Sequence, residues 1–180
     1  MDTRDLLSGF VGRRSIVALL AVTCVAAPGI AQADPANDVT QAMALLKAKT
    51  GKLGVPSIKG DEEVGGKPAP ALYFGATKMN NNFAVVDEVK QEKGGTATLF
   101  VKGGDEFVRV ATNVPKPDGS RAVGTVLDPK GKAIAAIRNG EPFYGDVDIL
   151  GKPYTTGYEP IRDAKNNVIG VYYVGFPKGQ

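Results

Sequence analysis

The stretch TATLFVKGGDEFVRVAT, Thr96 to Thr112, decides the fold. Two runs rich in β-branched and aromatic residues, Thr96 to Lys102 and Glu106 to Thr112, flank Gly103-Gly104. A Gly-Gly link between such runs predicts a β-hairpin, because both positions take positive φ without a Cβ penalty. The second run carries one charge in its middle, Arg109, between Val108 and Val110. Side chains alternate along a strand, so Phe107, Arg109 and Ala111 are expected on one face, with Asn113 just beyond. A guanidinium among apolar neighbours needs an anionic partner, and its planar fork matches a carboxylate.

Outward from the hairpin, the pattern changes period. On its N-terminal side, Asn80 to Val89 repeats Phe83, Val86 and Val89 at spacings of three and predicts a short helix. Ala69 to Phe74 reads as a short strand, and Val55 to Pro70, rich in Gly, Pro, Lys and acid, as an irregular link. Before it, Asp38 caps a helix with Gln41 as the capping-box partner and Val39, Ala42, Met43, Leu45 and Leu46 on the apolar side, stopped by Gly51 and Gly54. On the C-terminal side, Asp118-Gly119 marks a turn, and Asp128-Pro129 reads as cap and first position of a helix continuing through Ala133 to Arg138. Strands are expected at Phe143 to Leu150, Tyr154 to Ile161 and Val168 to Gly175, the last two joined through Asn166-Asn167. The result is an α+β layout with a mostly antiparallel sheet and a long N-terminal helix on one face. No glycine pattern of a nucleotide-binding βαβ unit occurs.

The composition narrows the chemistry. With 180 residues, 43% of them hydrophobic, the chain has material for one domain with a real core. Histidine is absent, which removes Ser/His/Asp and Cys/His catalysis and imidazole metal sites. Residues 1–33 read as a cleaved export signal: Arg13 and Arg14 precede an apolar run from Ile16 to Ala27, and Ala31-Gln32-Ala33 supplies the small residues of a cleavage site. The run is shorter than the roughly 20 residues a membrane span needs. The paired arginines resemble a twin-arginine signal, and Sec export is the alternative. The mature chain then starts at Asp34, in the periplasm, and has no membrane span. Cys24, the one cysteine, leaves with the signal, and the net charge goes from +3 to +2 as three arginines and two aspartates are removed. No basic run with interleaved aromatics points to nucleic acid.

Several further blocks carry a resemblance to a known family. They are Gly94 to Val101, Phe107 to Val114, Asp118 to Thr125, Gly151-Lys152-Pro153-Tyr154 with Tyr158-Glu159-Pro160-Ile161, and Val168-Ile169-Gly170-Val171. In order and spacing they resemble the extracytoplasmic Cache sensor domains, specifically the Cache 3/Cache 2 fusion branch, over about Leu72 to Phe176. The resemblance implies a PAS-like antiparallel sheet behind a long helix, with a small-molecule pocket on the sheet's other face. Members of this family sit between membrane spans in chemoreceptors or histidine kinases, whereas this chain reads as a standalone exported module.

Strand alternation places Tyr154, Thr156 and Tyr158 on one face and Thr155, Gly157 and Glu159 on the other. Candidate ligand-binding residues are therefore Arg109, Asn113, Arg121, Tyr144, Tyr154, Thr156 and Tyr158. The competing reading pairs Arg109 with an internal acid, Asp146, Asp148 or Glu159, and makes the tyrosines packing residues; the resemblance moves Arg109 and Tyr154 toward the pocket. Asp61-Glu62-Glu63 reads as a solvated acidic loop, and Asp146 with Asp148 lacks any nucleophile or base to work with. The expected function is periplasmic capture of a small, carboxylate-bearing molecule and its presentation to a membrane sensor or transporter, with no enzymatic activity, metal or cofactor. The alternative is a non-enzymatic interaction protein whose pocket is vestigial.

Overall fold

The polypeptide path, in a computed structural model, is described for residues 35–179; the export signal and Cys24 lie outside the described residues. Helix α1, Pro35–Leu53, opens the chain and begins three residues before Asp38, so Asp38 lies in its first turn instead of capping it. There its carboxylate still faces the positive end of the helix dipole. The segment expected to be an irregular link is a hairpin: β1, Pro56–Val64, pairs antiparallel with β2, Lys67–Phe74. Its turn is Gly65-Gly66, and a one-residue bulge between Ile58 and Asp61 lets a strand of weak β propensity stay paired. The two-residue β3, Thr77–Lys78, completes this small sheet. Glu62 of the acidic triplet pairs with Lys78 at 2.6 Å.

The main sheet has five antiparallel strands in the order β5-β4-β8-β7-β6. Helix α2, Ala84–Lys93, leads into β4, Thr96–Gly103, which forms the expected hairpin with β5, Glu106–Thr112. Gly103 pairs with Glu106, so the turn residues are Gly104 and Asp105, one position later than expected, with Gly104 at φ 60. Helix α3, Lys132–Arg138, starts after Gly131; Asp128 instead accepts the Lys130 N–H at 2.9 Å in a turn ahead of it. Strands β6, Phe143–Ile149, β7, Lys152–Arg162, and β8, Val168–Pro177, close the chain, with Asn166 at φ 69 in the last turn.

The sheet separates two apolar cores. Val39, Ala42, Met43 and Leu46 of α1 and Val86 and Val89 of α2 pack on Leu99, Val101, Val110 and Val174. Across the sheet, Ala133, Ile134 and Ile137 of α3 pack with Phe100, Phe107, Tyr154, Tyr158 and Tyr173. Alternation assigns neighbours such as Leu99 and Phe100 to opposite cores. The exposed side of β5 is covered by the loop after it: Arg109 N–H donates to Thr125 O at 2.8 Å, Gly124 N–H to Arg109 O and Leu127 N–H to Phe107 O, both at 2.9 Å. This pairing satisfies an edge strand and sets Thr125 beside Arg109.

Candidate functional site

Arg109 is buried on the α3 side of the sheet, only 4% exposed. Its guanidinium lies 5.0 Å from the ring centroid of Phe100, its cross-strand partner, a separation suited to a cation–π contact. Nη1 donates to the Thr125 hydroxyl at 2.8 Å, and Thr125 in turn donates to Ala122 O at 2.8 Å. The buried Nε has no hydrogen-bond partner among the described residues. The internal acids weighed as partners are engaged elsewhere. Glu159 pairs with Lys47, Asp146 pairs with Lys178, and Asp148 accepts the Gly151 N–H. Burial lowers the pKa of Arg109, with the Tyr158 and Tyr173 hydroxyls acting in the opposite sense. A buried cation with a free donor and no carboxylate bonded to it is costly, and an anion in reach of that donor removes the cost.

The guanidinium lines a cavity of about 210 Å³. Tyr158, Val126, Leu127, Ala133, Val147 and Ile149 form much of its wall, and the exposed Asp128, Lys132 and Asp148 also line it. Tyr158 is 1% exposed and stacks at 5.0 Å and 51° on Tyr173. Burial raises the pKa of Tyr158, the Arg109 charge opposes that shift, and the Asp128 charge reinforces it. Tyr173 spends its hydroxyl on Thr96 at 3.1 Å. The cavity thus combines one deep cation, a phenol held in its neutral form, apolar walls and the exposed charges of Asp128, Lys132 and Asp148, a lining suited to a small molecule.

The other sequence candidates are distributed unevenly. Tyr154 and Thr156 are buried on the same face as Tyr158, as alternation requires, but neither lines the Arg109 cavity; Tyr154 borders an adjoining cleft with Lys152 and Pro115, and Thr156 donates to Gly145 O at 2.7 Å. Asn113 is on the opposite face. Its Nδ2 donates to Val86 O at 2.6 Å and its Oδ1 accepts the Ala97 N–H at 2.7 Å, tying α2 to the sheet. The reason is a bulge: Leu99 pairs with Ala111 and Phe100 with Arg109, so Val110 is an extra residue in β5. The extra residue reverses the alternation beyond it, sending Ala111 into the α1 core and Asn113 to α2.

Arg121 forms a bidentate pair with Asp87, both contacts 2.8 Å, donates to Thr112 O at 2.9 Å and stacks on Phe83 at 4.5 Å. It does not line the cavity. Tyr144 faces α1 and is 44% exposed, donating its hydroxyl to Glu159 at 2.5 Å. It too is outside the cavity. Sequence reasoning passed over Phe100, Thr125 and Asp128. Thr125 reaches Arg109 only because the loop pairs back on β5, and Asp128 carried the signature of a helix cap. No group of three His, Cys, Asp or Glu side chains suited to a metal occurs among the described residues.

A five-stranded antiparallel sheet with a long helix on one face and a small, partly polar cavity on the other defines a PAS-like sensor domain. The chain belongs to the Cache 3/Cache 2 fusion domain family, whose profile matches residues 36–180. Such domains are non-catalytic sensors of small molecules, usually extracytoplasmic. No curated protein matches the sequence. No helix among the described residues is long and apolar enough to cross a membrane.

Proposed function

We propose that this chain is an exported sensor module that holds a small carboxylate-bearing metabolite on Arg109 and presents it to a membrane sensor or transporter. The observation that carries this reading is the buried guanidinium, whose Nε has no partner among the described residues and which no carboxylate bonds, Glu159, Asp146 and Asp148 being tied to Lys47, Lys178 and a backbone N–H. Family membership supports a small molecule as the ligand and a site outside the cytoplasm as the place of action. Tyr158 supplies a neutral hydroxyl beside the anion, and the apolar wall excludes water from the ion pair, which strengthens it.

The test is calorimetric titration of the mature protein with short-chain carboxylates, beside melting curves in their presence. A ligand that binds only the native state raises the midpoint by mass action. Arg109→Lys keeps the charge and loses the fork, so binding weakens by about 1.5–3 kcal/mol, the scale of a charged hydrogen bond. A folded Arg109→Lys protein with unchanged affinity removes Arg109 from the site. A panel that is inert throughout favours the interaction protein with a vestigial pocket.

A further inference from the structure

A second cleft, of about 250 Å³, is lined by Lys90, Thr96, Pro115, Lys152 and Tyr154 among others, and a smaller one of about 90 Å³ shares Pro115, Lys152 and Tyr154 and adds Lys116. The three lysines come from separate elements: Lys90 from α2, Lys116 from the loop after β5, and Lys152 from the first position of β7. No acid lines either cleft, in contrast to the Arg109 cavity. The acids of α2 are taken by other cations, Asp87 by Arg121 and both Glu88 and Glu92 by Lys49. Asp118 feels the charge of Lys116, but its carboxylate accepts the Ser120 hydroxyl and N–H and lies outside both linings. Lys90, Lys116 and Lys152 form no ion pair among the described residues.

Tyr154 stands where the two clefts meet. Its side chain is 5% exposed, and its hydroxyl has no hydrogen-bond partner among the described residues. Burial raises its pKa, which keeps it a proton donor at neutral pH. Thr96 has no such donor to spare, since its hydroxyl is given to Gly175 O at 3.0 Å. A buried phenol with an unspent donor therefore borders a space whose fixed charges are all positive. Ammonium groups are point charges without a planar fork. Brought from three elements, with a phenol as a fourth donor, they approach an anion from several sides. That arrangement matches tetrahedral oxygens, whereas a planar carboxylate is matched by a guanidinium.

We infer that this cleft is a second anion site that takes a phosphate group, free or as a monoester, with Tyr154 donating to one oxygen and Lys90, Lys116 and Lys152 balancing its charge. The inference goes beyond the reading of Arg109 and does not depend on it. A phosphate dianion gains more from three uncompensated cations than a monoanion does, and no acid in the lining opposes it.

The probes are inorganic phosphate, glycerol 3-phosphate and acetate, each titrated calorimetrically in about 0.15 M sodium chloride so that loose surface attraction is screened. They are tested on the wild type, Tyr154→Phe, Lys152→Gln and Arg109→Lys, with melting curves to verify folding. The expected result is that at least one phosphate probe binds the wild type at a single site, at least tenfold more tightly than acetate binds that site. Tyr154→Phe and Lys152→Gln should each weaken it at least fivefold, and Arg109→Lys by less than twofold. Binding of both probes gives the site to the phosphate group of a monoester, and binding of inorganic phosphate alone gives it to the free ion. Should Tyr154→Phe not fold, the surface double variant Lys90→Gln/Lys152→Gln carries the same expectation. If neither phosphate probe binds the folded wild type, or acetate binds this site equally well, the inference is overturned. Phosphate binding lost in Arg109→Lys but intact in Tyr154→Phe also overturns it, by moving the anion to the Arg109 cavity; acetate binding sensitive only to Arg109→Lys leaves the carboxylate reading standing whatever phosphate does.

Discussion

Tyr158 and Glu159, consecutive in β7, serve opposite sides of the sheet: Tyr158 walls the Arg109 cavity, while Glu159 pairs with Lys47 of α1 at 2.5 Å. The alternation of a strand makes this unavoidable. A single strand therefore links the ligand cavity to the helix that covers the other face. The Glu159 carboxyl also accepts the Tyr144 hydroxyl at 2.5 Å.

Glu159→Gln is expected to cost about 0.5–1 kcal/mol at neutral pH, since Lys47 is half exposed and solvent screens the pair. Burial pushes the Glu159 carboxyl up, but the hydrogen bonds from Lys47 and Tyr144 and the Lys47 charge outweigh it, and the pKa is lowered from its ordinary 4.5. A depressed carboxylate pKa contributes stability that is present above the unfolded value and lost as pH falls through the folded one. The difference between wild type and variant in urea melts should therefore shrink below about pH 4.5. An equal difference at pH 7 and pH 3 contradicts this assignment.

Arg109→Met is expected to abolish carboxylate binding and to raise the melting midpoint of the ligand-free protein. Methionine fills a similar volume without a charge that lacks an internal acid, and such replacements gain about 1–3 kcal/mol. A marked fall in the midpoint would identify Arg109 as a structural residue held by Thr125 and Phe100.

Arg121→Ala tests the separation of site from scaffold. The loss of the bidentate Asp87 pair, the Thr112 carbonyl contact and the Phe83 stack should lower stability by about 1–2 kcal/mol. Ligand affinity, read by titration of the folded variant, should change by less than about twofold, within the additivity expected of distant sites. A tenfold loss would bring Arg121 back into the site.

Gly170→Ala probes the centre of the sheet, where an added Cβ would lie 2.3 Å from the backbone oxygen of Phe100. Strand β4 must move, at a cost of about 1–3 kcal/mol. Gly104→Asn, at φ 60 with open space around it, should cost less than about 1 kcal/mol. Chemical denaturation of both variants gives the comparison, and a larger loss at Gly104 reverses the expected ranking.

Export provides the remaining prediction. Mass spectrometry of the fractionated protein should find a mature chain beginning at Asp34, and replacing Arg13 and Arg14 by Lys should block export by the twin-arginine route while leaving Sec export nearly unchanged. An intact N-terminus retained in the membrane contradicts the signal reading.

The amino-acid sequence by itself determined the element order from Asn80 onward, because Gly94-Gly95, Gly103-Gly104 and Asn166-Asn167 punctuate runs whose apolar period is unambiguous. It also marked Arg109 as a charge in need of an answer and grouped Tyr158 with Tyr154 and Thr156 on one face of their strand. The β1–β2 hairpin was hidden because Lys, Glu, Gly and Pro have weak strand propensity, and only pairing with a neighbour holds them extended. Asn113 and Tyr144 depended on facts no local pattern contains: the extra residue Val110 reverses the facing of β5, and the side of the sheet on which Tyr144 lies is set by its pairing with Gly157 beneath α1. Only the tertiary structure decided that no acid bonds Arg109 while Asp128 and Asp148 border its cavity, because both follow from segments that return across the sheet over many residues, where distance along the chain says nothing about distance in space.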